Sequence, residues 1–185
     1  GEEFQEHGNL LHGRTQYQEV LRVPLLIKGP GIPAGQAVAT PVGGVDVAPT
    51  ILALMGIPSR QARDGVDLTP CWSGGTLPER LFFSDSDHNN RIKGEPVFDI
   101  KKMVRQGYEK FLYDTVSGES ELYDLHQDFG ERKDLSRAQP ERVKAMKEAL
   151  DRFQAGAIGG EAIPPPTEEE RRQLEALGYD GGSGE

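Results

Sequence analysis

The chain has 185 residues, 36% of them hydrophobic, with 23 glycines and 13 prolines and a mean hydropathy of −0.56, which allows one modest core among many loops. A net charge of −9 and a pI near 5.0 exclude the basic surface that neutralises a phosphate backbone, so neither nucleic acid nor anionic membrane is an expected partner. No apolar run approaches the roughly 20 residues of a membrane span, and residues 1–8 (GEEFQEHG) have neither the basic start nor the apolar stretch of a signal peptide.

In chain order, the first notable feature is a pair of histidines, His7 and His12, in a glycine-broken stretch with Arg14 beside them. Residues 21–28 (LRVPLLIK) form a short branched-chain apolar run stopped by Gly29, Pro30 and Gly31, which predicts a strand followed by a turn. Pro24 lacks a backbone N–H and suits the end or edge of a sheet. Residues 45–55 carry Val47, Ile51, Leu54 and Met55 at helical spacing, with Asp46 as the expected N-cap and Gly56 as the stop. Pro49 is compatible with the first turn, where no internal amide bond is needed. A strand joined by a loop to an amphipathic helix predicts the closing part of an α/β sandwich. The single cysteine, Cys71, has no base nearby in sequence and reads as a half-buried thiol in a turn rather than a nucleophile.

Further along, Leu81, Phe82 and Phe83 predict a brief strand, followed by a polar knot at residues 84–90 (SDSDHNN). The knot has the composition of a hard-cation loop but not the spacing of a calcium loop, so a solvated turn is expected there. Residues 101–105 are another strand candidate. Residues 108–114 and 121–125 flank a glycine-bearing loop and predict a hairpin. Pro140 opens a helix whose Val143, Met146, Leu150 and Phe153 form one apolar stripe to lay on that antiparallel sheet. Residues 155–166 (AGAIGGEAIPPP) read as a Gly/Pro linker. It leads to a capping box at residues 167–170 and a short helix ending at Gly178, which Leu174, Leu177 and Tyr179 could dock. The expected division is therefore residues 1–80, the closing portion of an α/β sandwich; 81–154, a sheet-plus-helix subdomain; and 155–185, linker and terminal helix.

Histidine changes charge near neutral pH, so two histidines and an arginine in one loop could bind and protonate an anionic leaving group. Surface loops also carry histidines without a task, and no His-Glu-x-x-His spacing is present, so the residues alone leave both readings open.

Four stretches together resemble the C-terminal half of a bacterial sulfatase of the alkaline phosphatase superfamily. Gly1-Glu2-Glu3 with Glu6-His7-Gly8 resembles the segment S-D-H-G-E…G-E-H-G. Tyr17 to Ile27 (YQEVLRVPLLI) resembles Y-E-E-x-x-R-V-P-L-I-I. Residues 44–52 (GVDVAPTIL) with Gly56-Ile57-Pro58 resemble V-D-I-A-P-T-L-L…G-I-P. Residues 110–113 (KFLY), 121–125 (ELYDL) and Asp134-Leu135 resemble the closing hairpin.

The resemblance implies hydrolysis of sulfate esters with a formylglycine nucleophile, made from Cys or Ser in a C/S-x-P-x-R motif, and a Ca2+ held by carboxylates and an Asn or His. Cys71 is followed by Trp72 and Ser73, does not match that motif, and leaves the nucleophile outside this chain. The Asp-His metal pair is expected just before Gly1, so the missing N-terminal half of the same protein would supply the metal ligands. What carries over is His12, five residues after the histidine of G-E-H-G, as a sulfate-contacting, leaving-group-assisting residue. Arg14 would supply permanent positive charge, His7 would support the loop, and Asp87 and His88 would contribute to specificity on the substrate-pocket wall. The implied partner is a small-molecule or carbohydrate sulfate ester, and the implied location periplasmic or extracellular. Phosphodiesterase or phosphonate monoester hydrolase chemistry on the same fold, and a non-catalytic binding or assembly domain, are the alternatives.

Overall fold

The computed structural model describes residues 1–58, 64–92, 95–156 and 167–176. They fall in two compact units, Gly1–Arg152 and Phe153–Glu185. No described helix is long and apolar enough to cross a membrane.

The first unit opens with a small antiparallel hairpin, β1 (Glu3–Phe4) and β2 (Leu10–Leu11), in the register Glu3 opposite Leu11 and Phe4 opposite Leu10. A single helical turn follows, α1 (Gln18–Leu21). The strand predicted at residues 21–28 is not formed: Leu21 closes α1, Arg22 is extended, and residues 22–29 join no ladder. A strand is stable only where a neighbour takes its backbone groups, and among the described residues none does. Val23, Leu25 and Leu26 are accordingly exposed.

A 3-10 turn at Gly44–Asp46 leads into α2 (Val47–Leu54), with Pro49 in its first turn as expected and Gly56 at φ +68° just past its end, a left-handed conformation that glycine adopts without a Cβ clash. Asp46 differs from the prediction: it precedes α2 but caps no helix amide. Its fully buried carboxylate instead accepts the Gly43 and Val66 amides at 2.7 and 2.9 Å and the Arg80 guanidinium, whose Nη1 lies 2.7 Å from Oδ1. Burial alone would raise this carboxyl, but Arg80 and the two amides outweigh it and hold it below the usual range. Thr50 completes the clasp, donating to the Asp46 carbonyl at 2.6 Å and accepting the Leu68 amide at 3.0 Å.

Four antiparallel strands follow in meander order, β3 (Leu81–Ile92), β4 (Glu95–Gln106), β5 (Glu109–Asp114) and β6 (Ser120–Asp124). The brief strand predicted at residues 81–83 therefore runs for 12 residues, and the polar knot at 84–90 is strand, not turn. Ladder bonds are made by backbone groups whatever the side chain, and β3 is the edge of the sheet, where polar residues suit solvent contact and discourage further pairing.

Side chains alternate across the sheet with period two. On one face Val104, Phe111 and Leu122 pack with Met146 and Leu150 of α3 (Pro140–Ala155). Phe153, expected on the same stripe, is exposed. On the other face Met103, Leu112, Tyr123 and Leu125 pack against Tyr17 and Leu21, so the segment bearing the histidines is laid directly on the sheet. The Tyr17 and Tyr123 hydroxyls both donate to Glu121, at 2.9 and 3.0 Å. Cys71 ends a 3-10 turn, Thr69–Cys71, half-buried as expected. Burial, with the nearby Asp46 and Asp67 carboxylates, pushes its thiol up, which disfavours the thiolate.

The second unit contains α4 (Glu168–Ala176), with an Arg172–Glu168 pair one turn apart at 3.5 Å. The predicted linker beyond residue 156, the helix stop Gly178, and the docking residues Leu177 and Tyr179 lie outside the described residues, as does the side chain of Leu174.

Candidate functional site

The loop that carries the histidines is organised by one buried acid. Glu3 is fully buried and accepts the Thr15 hydroxyl at 2.7 Å and the His7 and Asn9 amides at 3.1 and 3.0 Å. Burial would raise its carboxyl, yet these donors outweigh that and hold it below the usual range. The hairpin is thus fastened from inside, and residues 5–15 close around a charge that needs all three donors.

His7 has no free face. Its Nδ1 lies 2.6 Å from Glu19 Oε1 and its Nε2 3.0 Å from the Glu131 carbonyl, and its ring stacks on Tyr17 at 3.7 Å and 11°. Both neighbours are acceptors, so a ring that satisfies them donates from both nitrogens, as the imidazolium does. Glu131 adds a second tie: its carboxylate meets Lys110 Nζ at 2.6 Å, both side chains fully buried, and accepts the Gln18 amide at 2.6 Å. Burial pushes Lys110 down and Glu131 up, against the mutual attraction of the pair.

His12 is placed quite differently. Its ring is 69% exposed and lines an open cleft of about 460 Å3 between the N-terminal loop and β3, with Gln16, Leu21, Ser84, Asp85 and Ser86 among the walls. Gly13 follows at φ +88°, a turn that glycine makes without strain, and its carbonyl accepts the Ser86 hydroxyl. That bond pins the His12 loop to the edge strand. His12 Nδ1 lies 2.7 Å from Glu2 Oε1. Gln16 is buried; its amide nitrogen reaches the Lys101 carbonyl at 3.5 Å, while Oε1 has no hydrogen-bond partner among the described residues. Asp85 pairs with Lys102 at 3.4 Å.

Of the residues singled out from sequence, His12 lines the cleft and His7 lies beneath the loop. Arg14 is exposed and is not among the cleft-lining residues. Asp87 and His88 lie on β3, opposite Ile100 and Asp99 of β4; their side chains lie outside the described residues. Sequence reasoning missed Glu2, Gln16 and Ser86, and it missed Lys110 and Glu131 beneath them. Glu131 lies 124 positions from His7, and no spacing rule signals such a contact.

Glu3, His7 and Glu19 bring ligand atoms within 4.8 Å of one another, but Glu3 is saturated by amides and a hydroxyl, and both His7 nitrogens are engaged. Calcium requires six to eight oxygens, so this cluster does not fit Ca2+ and reads as a hydrogen-bonded knot. Cys71 lacks the motif for a formylglycine.

The mixed α/β architecture, with a four-stranded antiparallel sheet carrying a helix on one face and a histidine-bearing loop on the other, is that of the C-terminal region of the alkaline-phosphatase-like sulfatases. Residues 5–156 match the family described as N-sulphoglucosamine sulphohydrolase, C-terminal, and the chain belongs to this family. Arylsulfatase K of Xenopus laevis is 30% identical over 156 residues, covering 81% of this chain and 29% of its own length. This chain spans between 24% and 29% of the length of the first curated relatives it matches. Among solved structures, a protein in complex with its substrate D-glucosamine-2-N,6-O-disulfate superposes with a TM-score of 0.67 at 24% identity, covering 84% of this chain and 32% of that one. The phosphonate monoester hydrolase of Silicibacter pomeroyi superposes at 0.66 and 21%, covering 80% and 32%. Both likenesses show the fold.

Proposed function

We propose that this chain is the C-terminal part of a sulfuric ester hydrolase, in which residues 1–80 complete the α/β catalytic domain, 81–154 wall the substrate pocket, and 155–185 form a linker and terminal helix. The observation that carries this reading is the position of His12, presented to the cleft beside β3 in a chain of the sulfatase family. The formylglycine and the Ca2+ that the family resemblance implies would be held by the N-terminal half of the same protein, since the residues described here do not fit them.

Within that assembly His12 would donate a proton from Nε2 to the departing oxygen, and Arg14 would add permanent positive charge near the sulfate. General acid assistance of this kind is worth about 10²–10⁴-fold in rate. Asp87 and His88, continuing β3 beyond Ser86, would contact the group that carries the sulfate. A sulfated sugar is the favoured substrate class, supported by the disulfated glucosamine bound in the structural relative and by the hydroxyl, amide and carboxylate groups of Ser84, Ser86, Gln16 and Asp85 along the cleft, which suit sugar hydroxyls.

The test is to produce the chain joined to its N-terminal half and assay sulfate-ester hydrolysis with calcium, beside the chain alone. The joined protein should turn over, His12→Ala should lower kcat by about 10²-fold or more, and the chain alone should be inert. Turnover by the chain alone, or a joined protein that cleaves phosphonate or phosphate diesters in preference to sulfate esters, would overturn the proposal.

A further inference from the structure

We propose that Glu2 is a positioning residue for His12, holding Nδ1 so that Nε2 is the nitrogen presented to the cleft. This deepens, and rests on, the reading of His12 as the sulfate-facing group. The hairpin pairs Glu3 with Leu11 and Phe4 with Leu10. The ladder ends there, and Glu2, just before Glu3, and His12, just after Leu11, flank the same end of the hairpin. The carboxylate meets the ring there, Glu2 Oε1 lying 2.7 Å from Nδ1.

A carboxylate only accepts, so Nδ1 carries the hydrogen of that bond. In the neutral ring Nε2 is then bare and able to accept; in the charged ring Nε2–H is the donor available to a departing oxygen. The bond one nitrogen makes sets the chemistry of the other. His7 shows the contrast, because its two nitrogens are both taken and neither is available.

Two features make the contact more than a chance surface pair. The backbone is fixed on both sides of it: Glu3, next to Glu2, is fastened by three donors, and Gly13, next to His12, is held by Ser86. The second Glu2 oxygen, Oε2, is buried without a hydrogen-bond partner among the described residues, so the carboxylate is already turned inward at the hairpin end. An exposed ion pair adds little stability; what this one controls is which way the ring faces.

Nitrogen-15 NMR of the chain labelled at histidine reads the tautomer directly, at a pH where His12 is neutral. The wild-type chain should show His12 mainly as the Nδ1–H form, and Glu2→Ala should reverse it to the Nε2–H form that an unpartnered imidazole favours in water. The His7 signals, which depend on Glu19 and Glu131, should stay unchanged and report that the loop is intact. A wild-type His12 found mainly as Nε2–H, or a tautomer unmoved by Glu2→Ala with His7 unchanged, would overturn the proposal. If the variant loses its His7 signals, the wild-type spectrum alone decides. No sulfate ester enters the measurement, so its failure leaves the hydrolase reading standing, and failure of the hydrolase assay leaves the tautomer result standing.

Discussion

Lys110 and Glu131 are joined by 2.6 Å with no exposure on either side chain, and the same glutamate holds Gln18 through its carboxylate and His7 through its carbonyl. A single side chain in the loop after β6 therefore ties the sheet to the segment that shapes the cleft. Glu131 also sits at φ +52°, a left-handed conformation uncommon for a residue with a Cβ, held by these contacts. Removing its charge would leave Lys110 buried and uncompensated, an outcome that costs about 3–5 kcal/mol. Glu131→Gln should lower the unfolding free energy by an amount of that order, read as a fall in the urea midpoint, and adding Lys110→Met should restore part of it, because an apolar pair needs no compensation. A double variant no more stable than the single one would mean that the Gln18 and His7 contacts, not the charge pair, carry the effect.

The elements explain why the loop is held so firmly: the sheet has two covered faces, α3 on one and Tyr17 with Leu21 on the other. Leu150 lies fully buried against Phe111 and Val104, so Leu150→Ala should cost about 2–5 kcal/mol, read as a fall in the urea midpoint with little change in slope. α2, α3 and the β5–β6 hairpin were legible in the sequence because each is specified locally, by apolar spacing, a proline near the start or a glycine at the turn or stop. What local pattern could not give was anything that depends on a partner. Residues 21–28 have the composition of a strand but no ladder to join, and residues 84–90 have the composition of a turn but a ladder waiting in β4. Asp46 has the look of a helix cap, yet Arg80, 34 positions away, claims its carboxylate. The same division runs through the site: His12 and His7 were visible as residue types, whereas the assignment of one to the cleft and the other to the knot rests on Ser86, Glu19 and Glu131, which lie elsewhere in the chain.

On the scale of the whole chain, charge and apolar surface make separate predictions. Glu3, Asp46, Asp114 and Asp134 are all held below ordinary carboxyl values: burial opposes this in each, and hydrogen bonds or cations outweigh it. The unfolded chain therefore takes up protons first as pH falls, so their contribution is complete above the ordinary carboxyl range and is lost as pH drops through the folded values. Glu131, pushed up by burial, runs the opposite way, but it is one group against four. Stability to urea should fall steeply below about pH 4, and Asp46→Asn should flatten that acid limb; a stability independent of pH there would contradict the shifts. Exposed apolar side chains include Phe4, Leu10 and Leu11 on the first hairpin and two further stretches, Val23, Leu25 and Leu26 after α1, with Leu26 87% exposed, and Val45, Val47, Ile51, Leu54, Met55 and Ile57 on and around α2. Each buried large apolar side chain gains about 1.5–3 kcal/mol over an exposed one, so two such stretches favour a cover. In the proposed assembly that cover is the rest of the α/β domain, and residues 22–28, which join no ladder among the described residues, would gain the ladder that their composition anticipates. Leu26→Glu with Ile51→Glu should make the chain alone less prone to self-associate in sedimentation while abolishing its co-purification with the separately expressed N-terminal half. Retained co-purification by the double variant would place the interface elsewhere, because burying two uncompensated carboxylates in an apolar contact costs more than the remaining exposed side chains return.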